Sequence, residues 1–539
     1  MPFGLGKKSV LLWGQYPFLQ SNATLRHLAL NCCMHKQTFA SLLITACLAA
    51  PYTLAQNALP MLGDGADITA NTERQLGDEI IRSLYRDPDY LDDAILGEYV
   101  EGIFQSLLQA AKARGELSPE LQERFAWNIL LGRDRSVNAF ALPGGYFGVH
   151  LGLIAVVGSR DELASVLAHE LSHVTQRHIA RLIGQQGRQA PWMLGAMVLG
   201  ALAASRNPEA GQALMVGGQA LAAQNQLNFS RDMEREADRI GYSLMETAGF
   251  APQGFVTMFD KLQQANRLND NGSWPYLRSH PLTTQRIADM RGRLEANTTP
   301  SPATAPSATL EHAMMVARAR VLMRPGIDQW RQWASAPDTP GFAAQTLQQR
   351  IGARYTATLS AVQLNDFERA HTTLQALRAD LPAADTAAHR QMRLLAAELK
   401  LAARQPQAAL QALETPQTKR PELLLRAQAL LALGRAQDTR SALQTRVATH
   451  PQDAAAWQLL AHVWQQQKHP LRALRAEAEA HFARYDYPAA IDRFKAGQAL
   501  ARTLQPGNYD HIEASIIDTR LRAVEALLKE QTDDAREQR

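Results

Sequence analysis

Asp161-Glu162-Leu163-Ala164-Ser165-Val166-Leu167-Ala168-His169-Glu170-Leu171-Ser172-His173-Val174-Thr175-Gln176-Arg177-His178-Ile179-Ala180 opens a stretch to Gly184 that reads as one helix. Asp161 can cap it, Glu162 sits in the first turn, and Leu163, Val166, Leu167, Val174 and Ile179 supply an apolar face. His169 and His173 are four residues apart, so they lie about 40° apart around the axis and one turn up. That spacing aims two imidazoles at one point, as a tetrahedral zinc ion requires. Glu170 flanks that point and can take a proton from a water attacking a peptide carbonyl. The plain alternative is a solvated helix with two inconsequential histidines. It fits poorly, because burying two histidines in an apolar helix without a partner is costly.

A third ligand must come from elsewhere. Six residues after His173, where a metzincin places a histidine, the chain has Ile179. His178, nine residues from His169 on a continuous helix, points to the opposite side and reads as a structural hydrogen-bonding histidine. Ser230-Arg231-Asp232-Met233-Glu234-Arg235-Glu236-Ala237-Asp238-Arg239-Ile240-Gly241 is the better source. Glu234 and Asp238 share a helical face, while Glu236 lies about 200° from Glu234 at helical periodicity. With Asp232, Glu236 fits a solvated charge face. Glu234 completes a His-His-Glu site for one zinc per chain and leaves the fourth position to water. Asp238 can orient a ligand histidine through its free ring nitrogen.

Outward from this centre the chain divides. Its 539 residues exceed one ordinary core. A hydrophobic fraction of 46% with 20% charged residues excludes a disordered chain. The net charge of +4 without a basic, aromatic-interleaved block argues against a nucleic-acid surface. Residues 1–55 read as an upstream extension plus a secretory signal: Met34-His35-Lys36-Gln37, an apolar run Phe39–Ala50, then small residues at Thr53-Leu54-Ala55. Initiation at Met34 would explain the first 33 residues. Cys32, Cys33 and Cys47 all precede the cleavage point, so the mature chain needs neither disulfides nor thiolate ligands. Ile44-Thr45-Ala46-Cys47 resembles a lipobox, which would make Cys47 a lipidated outer-membrane anchor. The apolar residues after Cys47 suit a continuing signal better. Either way the expected compartment is the periplasm.

Residues 56–297 form the expected catalytic domain and 298–309 a Pro/Ser/Thr/Ala linker. In 310–539 alanine, leucine, glutamine and arginine dominate. There a polar corner followed by alanine recurs at Asn365–Ala370, Arg404–Ala409, Lys468–Ala473 and Tyr485–Ala490, more weakly at Gly434-Arg435-Ala436. Around Trp457, Leu460, Ala461, Trp464 and Ala473 the spacing resembles a tetratricopeptide repeat, with a period of about 34 residues. An irregular helical bundle is the alternative, and both predict a binding module. The fold class is therefore mostly α with a small β element, followed by an α-solenoid.

Asn138–Ala141 and Tyr146–His150 read as strands around a Pro143-Gly144-Gly145 turn. Asn138, Ala139 and Phe140 are the candidate edge on which an extended peptide could pair through main-chain hydrogen bonds; a core hairpin is the plain reading. The apolar runs from Pro191 to Leu202 and Ala213 to Ala223 are too short and glycine-rich to span a bilayer. They suit a helical hairpin over the cleft, with transient membrane contact as the sharper alternative.

Asn138–Gly145, His169–His178, Glu234–Gly241 and Ser279-His280-Pro281-Leu282 together resemble the M48 metallopeptidases, a gluzincin-like family, and in wording their periplasmic branch. The resemblance implies zinc ligands at His169, His173 and Glu234, with Glu170 as catalytic base. It further implies that His280, on a loop over the site, takes the metal's open position as an autoinhibitory fourth ligand. Its implied clients are unfolded or misassembled outer-membrane proteins, and its implied partner is the barrel-assembly complex. The rival is a periplasmic chaperone or assembly scaffold with latent hydrolysis.

Overall fold

Polar side chains start the first helices. Thr69 Oγ1 accepts the Thr72 N–H at the head of α1 (Ala70–Tyr85), and Asp93 Oδ1 accepts the Leu96 N–H at the head of α2 (Ala94–Ala113). Each satisfies a backbone donor that the helix itself leaves unpaired. A computed structural model describes residues 68–186, 231–267, 273–296, 309–413, 419–503 and 510–537. The leader with Cys32, Cys33 and Cys47, the apolar runs after Pro191 and the Pro-rich linker up to Ala308 lie outside them.

The sheet is four-stranded, of order β1-β2-β4-β3: β1 (Tyr90–Leu91) lies between α1 and α2, and β2 (Asn128–Gly132), β3 (Ala139–Leu142) and β4 (Tyr146–His150) follow the short α3 (Pro119–Arg124). β2 and β4 run parallel; the other pairs are antiparallel. The hairpin expected from the sequence is β3–β4, closed by Gly144 and Gly145 at φ +74° and +79°. At Gly145 a Cβ would lie 2.8 Å from Phe125 Cβ, so only glycine fits. β3 is an edge strand, and Asn138 stands just before it, its carbonyl accepting the His150 N–H. β1 and β2 were not expected. One has two residues, and the other is an apolar run without alternation, which periodicity cannot assign.

α4 (Leu151–Val156) leads into α5 (Arg160–Thr175), the helix that carries both metal-spaced histidines. Two corrections apply to its reading. Ser159, not Asp161, is the cap: its Oγ accepts the Glu162 N–H at 3.1 Å, while Asp161 is buried and accepts the Ala251 N–H. The helix also does not run on to Gly184. It closes at Gln176, Arg177 takes a left-handed φ of +52°, and α6 (His178–Gln186) starts afresh. Arg177 is held there by Glu73 and by the Ile68 carbonyl.

Every residue of α5 from Asp161 to Thr175 is buried, because α2, α7 (Arg231–Ala248), α8 (Gln253–Arg267) and β3 all pack on it. Gly241 lets α7 come close: a Cβ there would sit 3.1 Å from the Ala168 carbonyl carbon. α9 (Tyr276–Ser279) and α10 (Thr284–Ala296) complete this region.

Thr309 then caps α11 (Leu310–Leu322). An array follows: α12 (Ile327–Ser335), α13 (Leu347–Gln363), α14 (Phe367–Asp380), α15 (Thr386–Ala402), α16 (Pro406–Ala412), α17 (Arg420–Ala432), α18 (Gln437–Thr449), α19 (Ala454–Gln466), α20 (Pro470–Phe482), α21 (Tyr487–Thr503) and α22 (His511–Glu537). The recurring corner has one physical form. Asn365, Arg404, Gly434, Lys468 and Tyr485 all adopt φ between +57° and +72°. The next residue in each case returns its N–H to a carbonyl five residues back, as Asp366 to Ala361 (2.9 Å) and His469 to Trp464 (2.9 Å) do. This is a helix-closing Schellman geometry. The alanines that follow, Ala370, Ala409, Ala473 and Ala490, are buried where successive helices meet. The protein is thus mostly α with one small sheet, its C-terminal part a helical repeat array.

Charged groups lock the array to the first region. His312 of α11 accepts from the Tyr99 hydroxyl at 2.7 Å and donates to the Val157 carbonyl at 3.1 Å. The buried Arg318 reaches Asp93 Oδ2 at 2.7 Å and Glu398 Oε1 at 2.6 Å. Burial pushes the Asp93 carboxyl up, but the Arg318 guanidinium and the Leu96 N–H outweigh it and hold it below the usual carboxylate range. A depressed folded-state pKa means stability fully present above the unfolded carboxyl's value and lost as pH falls through the folded one. Arg318→Ala leaves the nearly buried Asp93 and the half-buried Glu398 without their cation and should cost about 2–3 kcal/mol. Urea unfolding at neutral pH checks this, and the gap to wild type should narrow as the buffer is taken below about pH 4.

Candidate metal centre

His169 and His173 sit one turn apart on α5 with Nε2 atoms 3.0 Å apart. Glu234, from the first turn of α7, reaches them from across the helix pair: Oε2 lies 3.4 Å from His169 Nε2 and Oε1 3.4 Å from His173 Nε2. His280, at the end of α9, brings its Nδ1 to 3.2 Å from His169 Nε2 and 3.0 Å from Glu234 Oε1. The four donor atoms lie within 4.8 Å of one another, and all four residues are buried. The expected ligand residues therefore converge, and His280 joins them.

Glu170 is adjacent but aimed differently. His280 spans the gap: its Nδ1 faces the donor cluster while its Nε2 lies 3.3 Å from Glu170 Oε1. Both Glu170 oxygens are buried without a well-formed hydrogen bond among the described residues. Tyr276 stacks on the His280 ring at 4.7 Å. The segment carrying both is tied to the sheet, since Val137 donates to the Ser273 carbonyl at 2.8 Å and accepts from the Tyr276 N–H at 3.4 Å.

A surrounding layer fixes the rings. Asp238, one turn after Glu234, accepts from His169 Nδ1 at 2.9 Å. Arg286 of α10 clamps Asp238 with Nε and Nη2 at 2.6 and 2.8 Å, and its Nη1 reaches Glu234 Oε2 at 2.8 Å and the Pro281 carbonyl at 2.9 Å. The sequence reading missed Arg286. Its signal was an arginine beside Ile287 and one turn before Met290 on a buried face, which demands a carboxylate partner. His178 corrects an expectation. Because the helix breaks at Arg177, its ring does not point away but meets His173, Nδ1 to Nδ1, at 2.9 Å. Glu236 likewise belongs to no plain charge face: its Oε2 is 3.0 Å from His178 Nε2.

Glu170, Glu234 and Asp238 are three carboxylates buried at the site, and Arg286 pairs with Glu234 and Asp238. Burial disfavours charge on His169, yet Glu234 and Asp238 outweigh it and hold the imidazole up at about 9. His173, with burial dominant, is pushed well below its ordinary value, and His178 falls to about 4 for the same reason. Burial opposes ionisation of Glu234 and Asp238 as well, but His280 and His169 for the first, and Arg286 for the second, keep both low. Glu170 is raised, by burial first and by Glu234 in addition, against the pull of His280 and His169. Two imidazoles, a carboxylate and a further imidazole, close together and shielded from water, fit a tetrahedral zinc.

Such a site on a central helix, in a mostly helical domain with a small edge-stranded sheet, defines a metallopeptidase. Residues 98–294 match the model of peptidase family M48. The putative beta-barrel assembly-enhancing protease of Vibrio cholerae is 34% identical over 354 residues, 63% of this chain and 68% of the relative. The chain belongs to peptidase family M48 and is a zinc-dependent metallopeptidase. The beta-barrel assembly-enhancing protease of Escherichia coli is 28% identical over 473 residues, 86% of this chain and 92% of the relative. A more distant relative is the mitochondrial metalloendopeptidase OMA1 of Saccharomyces cerevisiae, 29% identical over 197 residues, 35% of this chain and 54% of the relative.

Replacing Asp238 by Ala removes the acceptor of His169 Nδ1 and one arm of the Arg286 clamp. Zinc affinity, read by chelator competition, should fall about tenfold to a hundredfold.

Proposed function

We propose that His169, His173 and Glu234 hold the zinc ion, that Glu170 is the catalytic base, and that His280 is a displaceable fourth ligand that closes the site. The convergence of four donor atoms within 4.8 Å, with Glu170 beside them, carries this reading. Zinc, when bound, polarises the scissile carbonyl and the attacking water. Glu170 takes the water's proton and returns it to the leaving amine; its raised affinity for a proton suits both transfers. Asp238 keeps the His169 proton on Nδ1 so that Nε2 faces the cluster. An extended peptide would add to the side of β3 that pairs with no strand among the described residues, along Asn138, Ala139 and Phe140, by main-chain pairing that reads an unfolded chain rather than a particular sequence.

The clients that fit are unfolded or misassembled outer-membrane proteins, since relatives covering most of this chain are named for enhancing barrel assembly. On this reading the chain acts in the periplasm after its leader is removed, and residues 1–55, 56–297, 298–309 and 310–539 serve as leader, protease, linker and docking array. The array, with tetratricopeptide-like corners, would dock the client or the barrel-assembly complex. No helix of the described residues is long and apolar enough to cross a membrane.

One observation favours a second use of the same fold. The His280 ring stands between the donor cluster and Glu170, where water and substrate must enter, so the closed form is a poor protease that can still bind clients. Glu170→Gln should abolish degradation of an unfolded outer-membrane protein, by at least about a hundredfold, with zinc content intact. If that variant still supports barrel assembly in cells, binding is the main function and the enzymatic reading of the phenotype is wrong. His280→Ala should raise proteolysis of the same client. Unchanged proteolysis and unchanged zinc affinity in that variant would remove the gate.

A further inference from the structure

His178 has no part in the reaction as described, yet its side chain is fully buried against a zinc-site histidine. Among the described residues the polar contacts on this side run in a line. His173 Nε2 faces the donor cluster, 3.4 Å from Glu234 Oε1, and its Nδ1 meets His178 Nδ1 at 2.9 Å. His178 Nε2 meets Glu236 Oε2 at 3.0 Å, and the same oxygen receives Arg181 Nη1 at 3.1 Å. Glu236 and Arg181 lie at the surface, their side chains 39% and 42% exposed.

With His178 neutral, as its burial favours, one placement of protons satisfies that line. An ionised carboxylate accepts and cannot donate, so the hydrogen between Glu236 and His178 belongs to His178 Nε2. A neutral imidazole protonated at Nε2 carries its lone pair at Nδ1, so His178 Nδ1 must accept from His173 Nδ1–H. The remaining lone pair of His173 is then on Nε2, aimed at the donor cluster. Reversing His178 would set a lone pair against the Glu236 carboxylate. It would also turn His173 Nδ1 into an acceptor, moving its proton to Nε2, where it blocks a metal.

We infer that His178 and Glu236 are positioning residues that fix the tautomer of His173 through a two-imidazole line running from the surface to the zinc site. The inference rests on His173 being a zinc ligand. It makes the two ligand histidines unlike: His169 is oriented directly by Asp238, itself clamped by Arg286, whereas His173 is oriented at one remove by a neutral ring. The break at Arg177 is what allows this, because on a continuous helix His178 would face away from His173. Glu73 and the Ile68 carbonyl, which hold Arg177, thereby support the line from α1.

Chelator competition for zinc on the full chain tests this, with folding followed by circular dichroism. His178→Leu removes the acceptor and should weaken zinc about tenfold to a hundredfold. His178→Asn places an amide oxygen near the Nδ1 position and should recover most of that loss. Equal weakening in both variants would mean that the ring only fills space, and no weakening in either would mean that it sets nothing; each outcome overturns the inference. Should His178→Leu fail to fold, the half-exposed Glu236→Leu takes its place, with weaker zinc binding expected and unchanged binding fatal. His173→Ala separates the two levels. If that variant keeps its zinc, the ligand assignment itself fails; if it loses zinc while the His178 pair is indifferent, only the tautomer line does.

Discussion

Four ionisable side chains from three helical segments each bring a donor atom to within 4.8 Å of the others, the arrangement one bound cation would hold together. His169 and His173 are fixed by the turn of α5, Glu234 arrives on α7, and His280 closes from the end of α9. Each is buried, so none can shed its charge or polarity to water. The surrounding helices are arranged to make that tolerable. Gly241 lets α7 lie against Ala168, Asp238 follows Glu234 by one turn, and Arg286 spans both acids. Loosening any of these would leave a carboxylate buried without its counter-charge, which is why the helix core and the chemistry cannot be separated.

The same packing explains how the site is covered. Val137, just ahead of the edge strand β3, is bonded to the segment that carries Tyr276 and His280. The surface where a peptide would pair and the ring that fills the site therefore meet at one residue. On the other flank α11 is locked to α2 and α4 by His312 and Arg318, so the helical array is continuous with the catalytic region's core.

Much of this was legible in the sequence where a short motif forces geometry. His-Glu-x-x-His at helical spacing, an acidic pair four apart and a Pro-Gly-Gly turn each have few structural solutions. The helix corners near Asn365 and Lys468 were legible as a repeat, though the left-handed closing residue that explains them was not, because asparagine, arginine, lysine and tyrosine share no obvious signature there. What stayed hidden depended on tertiary contact. Periodicity carried α5 past Arg177, since nothing in Gln176-Arg177-His178 marks a break; Glu73, a hundred residues earlier, makes it. Once the helix breaks, His178 and Glu236 change from bystanders to neighbours of the metal centre. Arg286 was hidden for the same reason: its partners lie on another helix, and only the fold shows that they need it.

X-ray absorption at the zinc edge of the loaded protein addresses the central claim most directly. The account predicts a four-coordinate shell of nitrogen and oxygen donors at about 2.0–2.1 Å with imidazole outer scattering, weakened when His169 is replaced by Ala. A sulfur shell, a shell without imidazole scattering, or a spectrum unchanged by that substitution would contradict it.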